Sequence, residues 1–251
     1  MKVLATYNIK GGVGKTSAAV NLAALAAGDG LRTLIWDLDP QGSATFLFRI
    51  RPRVKGGAGK LVRGRSDLGA LLKGTDIEGL DLLPADFSYR HMDLVLDGTK
   101  RPTSRLARVL APVADEYDVV ILDCPPSISL VSESVFETAD GLLVPLIPSV
   151  LSVRTFEQLL AFVGSQVQAR PEIIAFFSMV DRRKRLHRDL VDQLPSMYRE
   201  IVHAAVPAAS DVEQMGGRRA PVTLFAPRSA ASRAYQQLWE EARVRLALLP
   251  K

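Results

Sequence analysis

Short apolar segments alternate along the chain with longer segments in which apolar residues recur at helical spacing. Several short segments, such as Val119–Leu122, are continuously apolar, which is typical of strands buried on both faces of a sheet. The pattern predicts strands at Val3–Tyr7, Arg32–Asp37, Asp81–Leu83, Asp118–Asp123, Gly141–Ile147, Ile173–Val180 and Ile201–Val206.

The longer segments predict helices between and after these strands. They lie at Lys15–Ala27, Thr103–Ala114, Leu130–Ala139, Val153–Ala169, Arg185–Arg199 and Ala230–Ala247. This alternation favours an α/β fold with a mostly parallel, twisted sheet and helices on both faces. We expect residues 1–251 to form one domain, in which residues 229–251 are a C-terminal helix docked on the core through an apolar stripe from Tyr235 to Leu249.

Composition narrows the class of protein. The chain has 251 residues, of which 47% are hydrophobic, so it can bury a sizeable core. No apolar run approaches the roughly 20 residues of a membrane span, and the start of the chain does not resemble a signal peptide. We therefore expect a cytoplasmic protein. The single cysteine, Cys124, excludes a disulfide framework or a cysteine-rich metal site within one chain.

Residues 49–65 differ from the rest of the chain. They include seven basic residues, no acidic residue and four glycines. Charge and glycine content of this kind predict an exposed, mobile loop. The net charge of +5 is compatible with a polyanionic partner and equally with plain solubility.

A glycine-rich segment connects the first predicted strand to the first helix. It reads Lys10-Gly11-Gly12-Val13-Gly14-Lys15-Thr16-Ser17. Glycines let backbone N–H groups surround a phosphate, and the helix N-terminus adds its positive dipole end. Lys15 is expected to reach the β and γ oxygens, and the Thr16 hydroxyl to bind Mg²⁺. Ile9 replaces the first glycine of the common pattern and Lys10 is added, so the loop is a variant.

Two further motifs follow buried strands. One is Asp37-Leu38-Asp39-Pro40-Gln41-Gly42-Ser43-Ala44-Thr45, and the other is Asp123-Cys124-Pro125-Pro126-Ser127. A carboxylate at the end of a buried strand can hold Mg²⁺ through water, although Asp123 could instead cap the following turn. Asp37 is either structural or a further partner of the magnesium.

The three motifs resemble those of the ParA/MinD family of deviant Walker A P-loop ATPases, in particular the small, Soj-like ParA partition ATPases. The resemblance implies a P-loop NTPase fold with ATP and Mg²⁺ as cofactors. It implies three catalytic residues, Lys10, Lys15 and Asp39, and three metal-binding residues, Thr16, Asp39 and Asp123. Asp39 would place the attacking water. Lys10 would reach the nucleotide of a second subunit, which implies an ATP-sandwiched homodimer.

The same resemblance suggests where the base and the partners bind. The nucleotide would contact the loop residues Lys10, Gly11, Gly12, Val13, Gly14, Lys15, Thr16 and Ser17, and its base Met179, Asp181 and Pro207. The segment 207–213 would form the other wall of the base pocket. Ser178 stands where the family usually has an amide. Basic residues that could contact DNA are Arg182, Arg183, Lys184, Arg218 and Arg219, since each phosphate contact adds a salt-dependent increment. The alternatives are a solvated basic helix face or a DNA contact through residues 49–65.

Together these features predict a slow, Mg²⁺-dependent ATPase for DNA partition or cargo positioning. Its ATP-bound dimer would bind non-specific DNA, associate with the nucleoid and be released when a ParB-like or cargo adaptor protein stimulates hydrolysis. One alternative is a MinD-like, membrane-associated positioning ATPase, which the acidic pair Glu240 and Glu241 on the last helix disfavours. The other is a nucleotide-gated regulatory DNA-binding protein.

Overall fold

One mixed sheet organises the chain. The computed structural model describes residues 1–248. The strands are β1 (Lys2–Thr6), β2 (Thr33–Asp37), β3 (Lys73–Gly74), β4 (Leu80–Leu83), β5 (Val119–Asp123), β6 (Gly141–Leu146), β7 (Glu172–Val180) and β8 (Ile201–Pro207). Their order in the sheet is β3-β4-β2-β5-β1-β6-β7-β8, and every neighbouring pair is parallel except β3 with β4. The prediction of a mostly parallel sheet is confirmed.

Helices cover both faces of this sheet. They are α1 (Lys15–Gly28), α2 (Ser43–Leu47), α3 (Gly57–Val62), α4 (Met92–Asp97), α5 (Arg105–Leu110), α6 (Leu130–Thr138), α7 (Val150–Gln166), α8 (Arg185–Met197), α9 (Ser210–Arg218), α10 (Val222–Phe225) and α11 (Ala230–Arg245). Successive side chains of β5 join different cores, with Val120 and Leu122 in one and Val119 and Ile121 in the other. Burial on both faces explains why the predicted strands were continuously apolar.

The last helix lies against β8 and α1. Tyr235, Leu238 and Trp239 are buried, and the Trp239 indole donates a hydrogen bond to Asp29 Oδ2 at 2.7 Å. The helix ends at Arg245, two residues before the predicted end. Leu249, the last residue of the predicted stripe, lies outside the described residues.

The segment 49–65 requires a correction, because it contains α3 and is not an exposed loop throughout. Ala58, Leu61 and Val62 are buried at helical spacing, so the apolar residues between the basic ones attach the segment to the core. Two hydrogen bonds secure it, from Val54 N–H to Asp86 Oδ2 at 2.8 Å and from Ala58 N–H to the Ser88 hydroxyl at 2.8 Å.

Other differences concern short elements. The predicted helix Thr103–Ala114 is α5 with a 3₁₀ turn at each end. The α-helix does not continue through the second turn, because Pro112 has no backbone N–H to donate to a hydrogen bond. The helices α2, α4, α9 and α10 and the strand β3 were not predicted. Within residues 1–248, no helix is both long and apolar enough to cross a bilayer.

Candidate functional site

Three polar side chains meet where adjacent parallel strands end. Asp123 of β5 is in register with Thr6 of β1 and with Asp37 of β2, and all three side chains are buried. The Thr6 hydroxyl lies 3.3 Å from Asp123 Oδ1. Asp123 Oδ2 is buried and has no hydrogen-bond partner among the residues that the structure describes.

The electrostatics of this corner favour a bound cation. Burial, and then the negative charge of Asp37, raise the pKa of Asp123 above its ordinary range, and the hydroxyls of Thr16 and Thr6 offset this only in part. A buried carboxylate oxygen without a partner is costly unless a cation or water satisfies it. The magnesium ion expected from the sequence fits this donor set, because Mg²⁺ takes oxygen ligands and retains several waters.

The loop before α1 has the backbone shape that a phosphate requires. Gly12 and Gly14 have positive φ angles of 68° and 95°, and Gly14 immediately precedes α1. A Cβ atom on Gly14 would lie 2.7 Å from the Ser178 hydroxyl oxygen, so the buried Ser178 packs directly against the loop. In this chain Ser178 therefore has a packing function at the position where the family usually has an amide.

Asn8 fixes the start of the same loop, and the sequence analysis did not single it out. Its side-chain amide donates to the Pro145 carbonyl at 2.8 Å, and its Oδ1 accepts the Lys10 N–H at 2.9 Å. These bonds join the loop to the end of β6. The available signal was a polar residue directly after a predicted strand and three positions before the first glycine of the loop.

The two lysines of the loop have different environments. Lys15 is buried and its amine donates to the Lys10 carbonyl at 2.9 Å. Burial lowers the pKa of Lys15, and the carboxylate of Asp123 partly offsets that shift. The Lys10 side chain is exposed and does not line the cleft of its own chain. Lys15 is placed to neutralise an anion inside the loop, whereas Lys10 is free to contact another molecule.

A cleft of about 620 Å³, termed the main cleft, opens in front of the loop. Of the predicted residues it is lined by Gly11, Gly12, Gly14, Lys15, Thr16, Ser17, Asp39 and Met179. Val13 is buried, and Asp123 is buried at the end of β5. Four further lining residues, Gln41, Ser43, Pro126 and Val212, lie in segments that the motifs or the family resemblance had singled out. The remaining ones, Phe46, Leu47, Met215 and Gly216 of α2 and α9, were missed.

The two aspartates at the end of β2 have different environments. Asp37 Oδ2 accepts hydrogen bonds from the Thr45 N–H at 2.8 Å and the Thr45 hydroxyl at 2.7 Å. The Thr45 hydroxyl oxygen also accepts the Ala85 N–H at 2.9 Å, so Asp37 holds α2 in place. These contacts favour the structural interpretation of Asp37. Asp39 is half-buried and lines the main cleft, where its carboxylate can reach a bound molecule.

Only one of the three residues expected to contact the base lines the main cleft. Met179 lines the main cleft with a φ of 55°, an unusual left-handed conformation for a side-chain-bearing residue, within an irregularity of the β7–β8 pairing. Asp181 instead forms an ion pair with Arg183 at 2.9 Å, and this hydrogen bond lowers the pKa of Asp181 to about 2. Asp181 directly follows β7 and Pro207 ends the neighbouring β8, but neither residue lines the main cleft.

The basic residues form two separate sets. Arg182, Arg183 and Lys184 are exposed in the turn after β7. Arg218 and Arg219 end α9, where their guanidinium groups stack over the rings of Phe225 and Phe46 at 4.8 and 4.5 Å. Of the two sets, only Arg218 and Arg219 therefore lie next to a wall of the main cleft. The described residues contain no cluster of three or more His, Cys, Asp or Glu that could hold a metal.

Comparisons with known proteins agree with this geometry. A family model described as an AAA domain matches residues 1–174. The sporulation initiation inhibitor protein Soj of Bacillus subtilis is 30% identical over 246 residues, which are 96% of this chain and 97% of Soj. The chromosome partitioning protein ParA of Caulobacter vibrioides is 30% identical over 249 residues, which are 96% of this chain and 93% of that protein.

A solved structure has the same fold with a ligand. Cobyrinic acid a,c-diamide synthase from Mycobacterium smegmatis, with a bound ATP analog and magnesium, superposes with a TM-score of 0.80 at 26% identity, covering 100% of this chain and 98% of the enzyme. The fold, the variant phosphate loop and the full-length relatives agree with one another. This chain therefore belongs to the ParA/MinD family of P-loop ATPases.

Proposed function

We propose that this chain is a ParA-type partition ATPase that binds ATP and Mg²⁺ in the main cleft. The observation that carries the proposal is the buried Asp123 oxygen without a partner, at the end of the strand next to the phosphate loop. The Soj and ParA relatives support the partition function, and the ATP analog and magnesium in the solved relative support the ligands.

The residues of the loop and those at the strand ends bind different parts of the nucleotide and its metal. Backbone N–H groups of Gly11 to Thr16 and the amine of Lys15 hold the phosphates. The Thr16 hydroxyl holds the metal directly, and Asp123 and Asp39 hold it through water. Bound Mg²⁺ neutralises charge that develops on the transferred phosphoryl group. Val212 and Met215 of α9 and Met179 form an apolar wall that suits the base.

Hydrolysis needs a positioned water and neutralised charge more than covalent chemistry. Asp39 positions the water, since its half-buried carboxylate lines the main cleft. Lys15 stabilises the developing charge from within the loop. The exposed Lys10 reaches the nucleotide of a second copy, so that two chains enclose two ATP molecules.

The dimer binds DNA without sequence preference and is released when a ParB-like or cargo adaptor protein stimulates hydrolysis. The basic sets Arg182–Lys184 and Arg218–Arg219 support this output, because most of their guanidinium and ammonium groups are exposed. Dimerisation doubles the number of phosphate contacts, so binding should depend on ATP and decrease steeply with salt. In the ATP state the protein associates with the nucleoid.

The Asp39→Ala variant tests the assignment of the water. We expect ATP binding and dimer formation to persist while hydrolysis falls by about 100-fold or more, because the water is no longer oriented. The variant should then stay on DNA. ATP turnover, dimerisation and DNA co-sedimentation in ATP and in ADP provide the measurement.

Asp97→Ala is the matched control, since Asp97 is an exposed carboxylate outside the main cleft. Turnover at the wild-type rate in Asp39→Ala would show that Asp39 is not the positioning residue. Equal DNA binding by the wild-type protein in ADP and ATP would show that the bound nucleotide does not control DNA binding.

A further inference from the structure

A second concave surface, termed the basic cleft, lies at the edge of the sheet that β3 forms. It has a volume of about 630 Å³. Its lining residues are Ile50, Arg51, Arg53, Lys55, Ala70, Leu71, Lys73 and Gly74, of which four are cationic and none is acidic.

The backbone around the basic cleft is held in place. Val54 is buried and its N–H donates to Asp86, so that its neighbours Arg53 and Lys55 remain on the exposed side of the chain. On the opposite wall, the 3₁₀ turn Gly69–Leu71 buries Leu71. The cationic side chains therefore stand on an ordered framework, which lowers the entropic cost of binding a ligand.

The charges of the basic cleft are not neutralised within the chain. Among residues 1–248, Arg51, Arg53, Lys55 and Lys73 make no side-chain hydrogen bond and no ion pair within 4.0 Å. The charge of Arg53 does act on Asp86, but that carboxylate is occupied by hydrogen bonds from Val54 and Ser88. Four unpaired cations around one concavity produce a positive potential that attracts polyanions.

The basic cleft is connected to the main cleft through α2. Phe46 and Leu47 of α2 line the main cleft, and the chain continues through Arg49 and Ile50 into the basic cleft. Arg219 donates to the Phe46 carbonyl at 2.9 Å, and Arg49 donates to the Arg218 carbonyl at 3.2 Å. The cationic end of α9 therefore adjoins the same short helix.

We propose that the basic cleft binds the phosphate backbone of double-stranded DNA, so that Arg51, Arg53, Lys55 and Lys73 add to the DNA contacts of Arg182–Lys184 and Arg218–Arg219 in each subunit. This inference rests on the proposed ATP-dependent DNA binding and identifies the surface of the chain that contacts the DNA. The lining contains no aromatic ring to stack on a base, and its charged groups are all cationic, which suits sequence-independent backbone contact. A lipid surface is disfavoured, because none of the large hydrophobic residues between 49 and 74 is exposed.

The test compares two variants of equal net charge. In the first, Arg51, Arg53, Lys55 and Lys73 are replaced by Gln; in the control, the exposed residues Lys100, Arg101, Arg108 and Arg170 are replaced by Gln. With ATP and a random-sequence duplex, we expect the first variant to bind at least about tenfold more weakly than wild type. The slope of log affinity against log salt should become shallower by about 0.9 for each DNA phosphate that is no longer neutralised. The control should bind within about twofold of wild type if the position of the charges matters more than their sum.

A second measurement does not alter any charge. A photoreactive residue replaces the exposed Ala70 in the basic cleft, and, as a control, the exposed Ala107. We expect DNA cross-links at position 70 in ATP only. Thermal unfolding and ATP-dependent dimerisation establish that each variant is folded.

Four results would overturn the assignment. Equal losses of affinity in the two Gln variants, or no cross-link at position 70 while wild type binds DNA, would reject this surface and leave ATP-dependent DNA binding in place. Binding through these four residues to vesicles of phosphatidylglycerol but not to DNA would make the partner a membrane. If the folded wild-type protein fails to bind DNA at low salt, both the surface and the proposed DNA output are wrong.

Discussion

At the scale of single residues, the phosphate loop depends on one glycine more than on the others. Gly14 combines a φ of 95° with the close approach to Ser178, whereas Gly11 has no positive φ and has open space where a side chain would begin. From the sequence pattern alone, all the glycines of the loop are equally strong candidates for a position that requires glycine. Only the folded chain distinguishes the position that requires glycine from a position that tolerates a side chain.

We predict that Gly14→Ala lowers the free energy of unfolding by about 1 to 3 kcal/mol, because alanine is strained at this φ and its Cβ meets the Ser178 hydroxyl. Gly11→Ala is the control and should leave stability within about 0.5 kcal/mol. Urea unfolding measures both. In the double variant Gly14→Ala/Ser178→Ala the clash is removed but the strain remains, so stability should recover only in part. Full recovery would mean that the backbone angle is not the constraint.

At the scale of elements, the sequence predicted those whose pattern is long and local. The strands β1, β2, β5, β6, β7 and β8 were found because burial on both faces leaves continuous apolar runs. The short helices were missed because one or two turns carry too little periodicity, and their stability comes from packing. Helix α3 is an example: Gly59 and Lys60 separate its apolar residues, and hydrogen bonds to Asp86 and Ser88, 30 to 32 residues further along the chain, hold the segment in place.

The attachment of this segment should depend on pH. Burial alone would raise the pKa of Asp86, but hydrogen bonds from Ser88 and Val54 outweigh burial and lower it. A lowered carboxylate pKa stabilises the folded state above the ordinary pKa of about 3.9, and that stability is lost as the pH falls through the folded-state pKa. We therefore predict that Asp86→Asn reduces stability by about 1 to 2 kcal/mol at pH 7.

Unfolding of both proteins at a series of pH values measures this effect. The difference between Asp86→Asn and wild type should narrow below about pH 4, where the wild-type carboxylate becomes protonated. Asp97→Asn, at an exposed position, serves as the control. A difference that stays constant down to pH 2 would show that the charge of Asp86 does not hold the segment.

At the scale of the whole molecule, part of the main cleft could be read from the sequence. Asp123 ends a predicted strand, and the loop residues and Asp39 follow two others within a few residues; parallel strand ends meet at one sheet edge. Of the opposite wall, the resemblance indicated the segment 207–213, which includes Val212. Met215 could not be predicted, because this part of α9 reaches the site only through the tertiary fold. The contact between Arg219 and Phe46 spans 173 residues, beyond any local pattern.

The exposure of Lys10 leads to a prediction about assembly. Lys10→Ala should still bind ATP as a monomer, since the Lys10 side chain does not line its own cleft, but it should not form the ATP-dependent dimer. Stimulated hydrolysis should fall by about 10³-fold, as for a cationic group supplied in trans. Calorimetry with ATP and light scattering measure the two properties. Lys15→Ala is the comparison and should lose ATP binding itself; a fully dimeric Lys10→Ala protein would contradict the prediction.

The two walls of the main cleft come from distant parts of the chain. The glycine loop, Asp39 and α2 lie within the first 47 residues, whereas Met179 and α9 lie in the last third. Substitutions in the last third of the chain can therefore change the preference for a ligand while the phosphate-binding residues among the first 47 remain the same. In evolution or in engineering, the two properties can be altered one at a time.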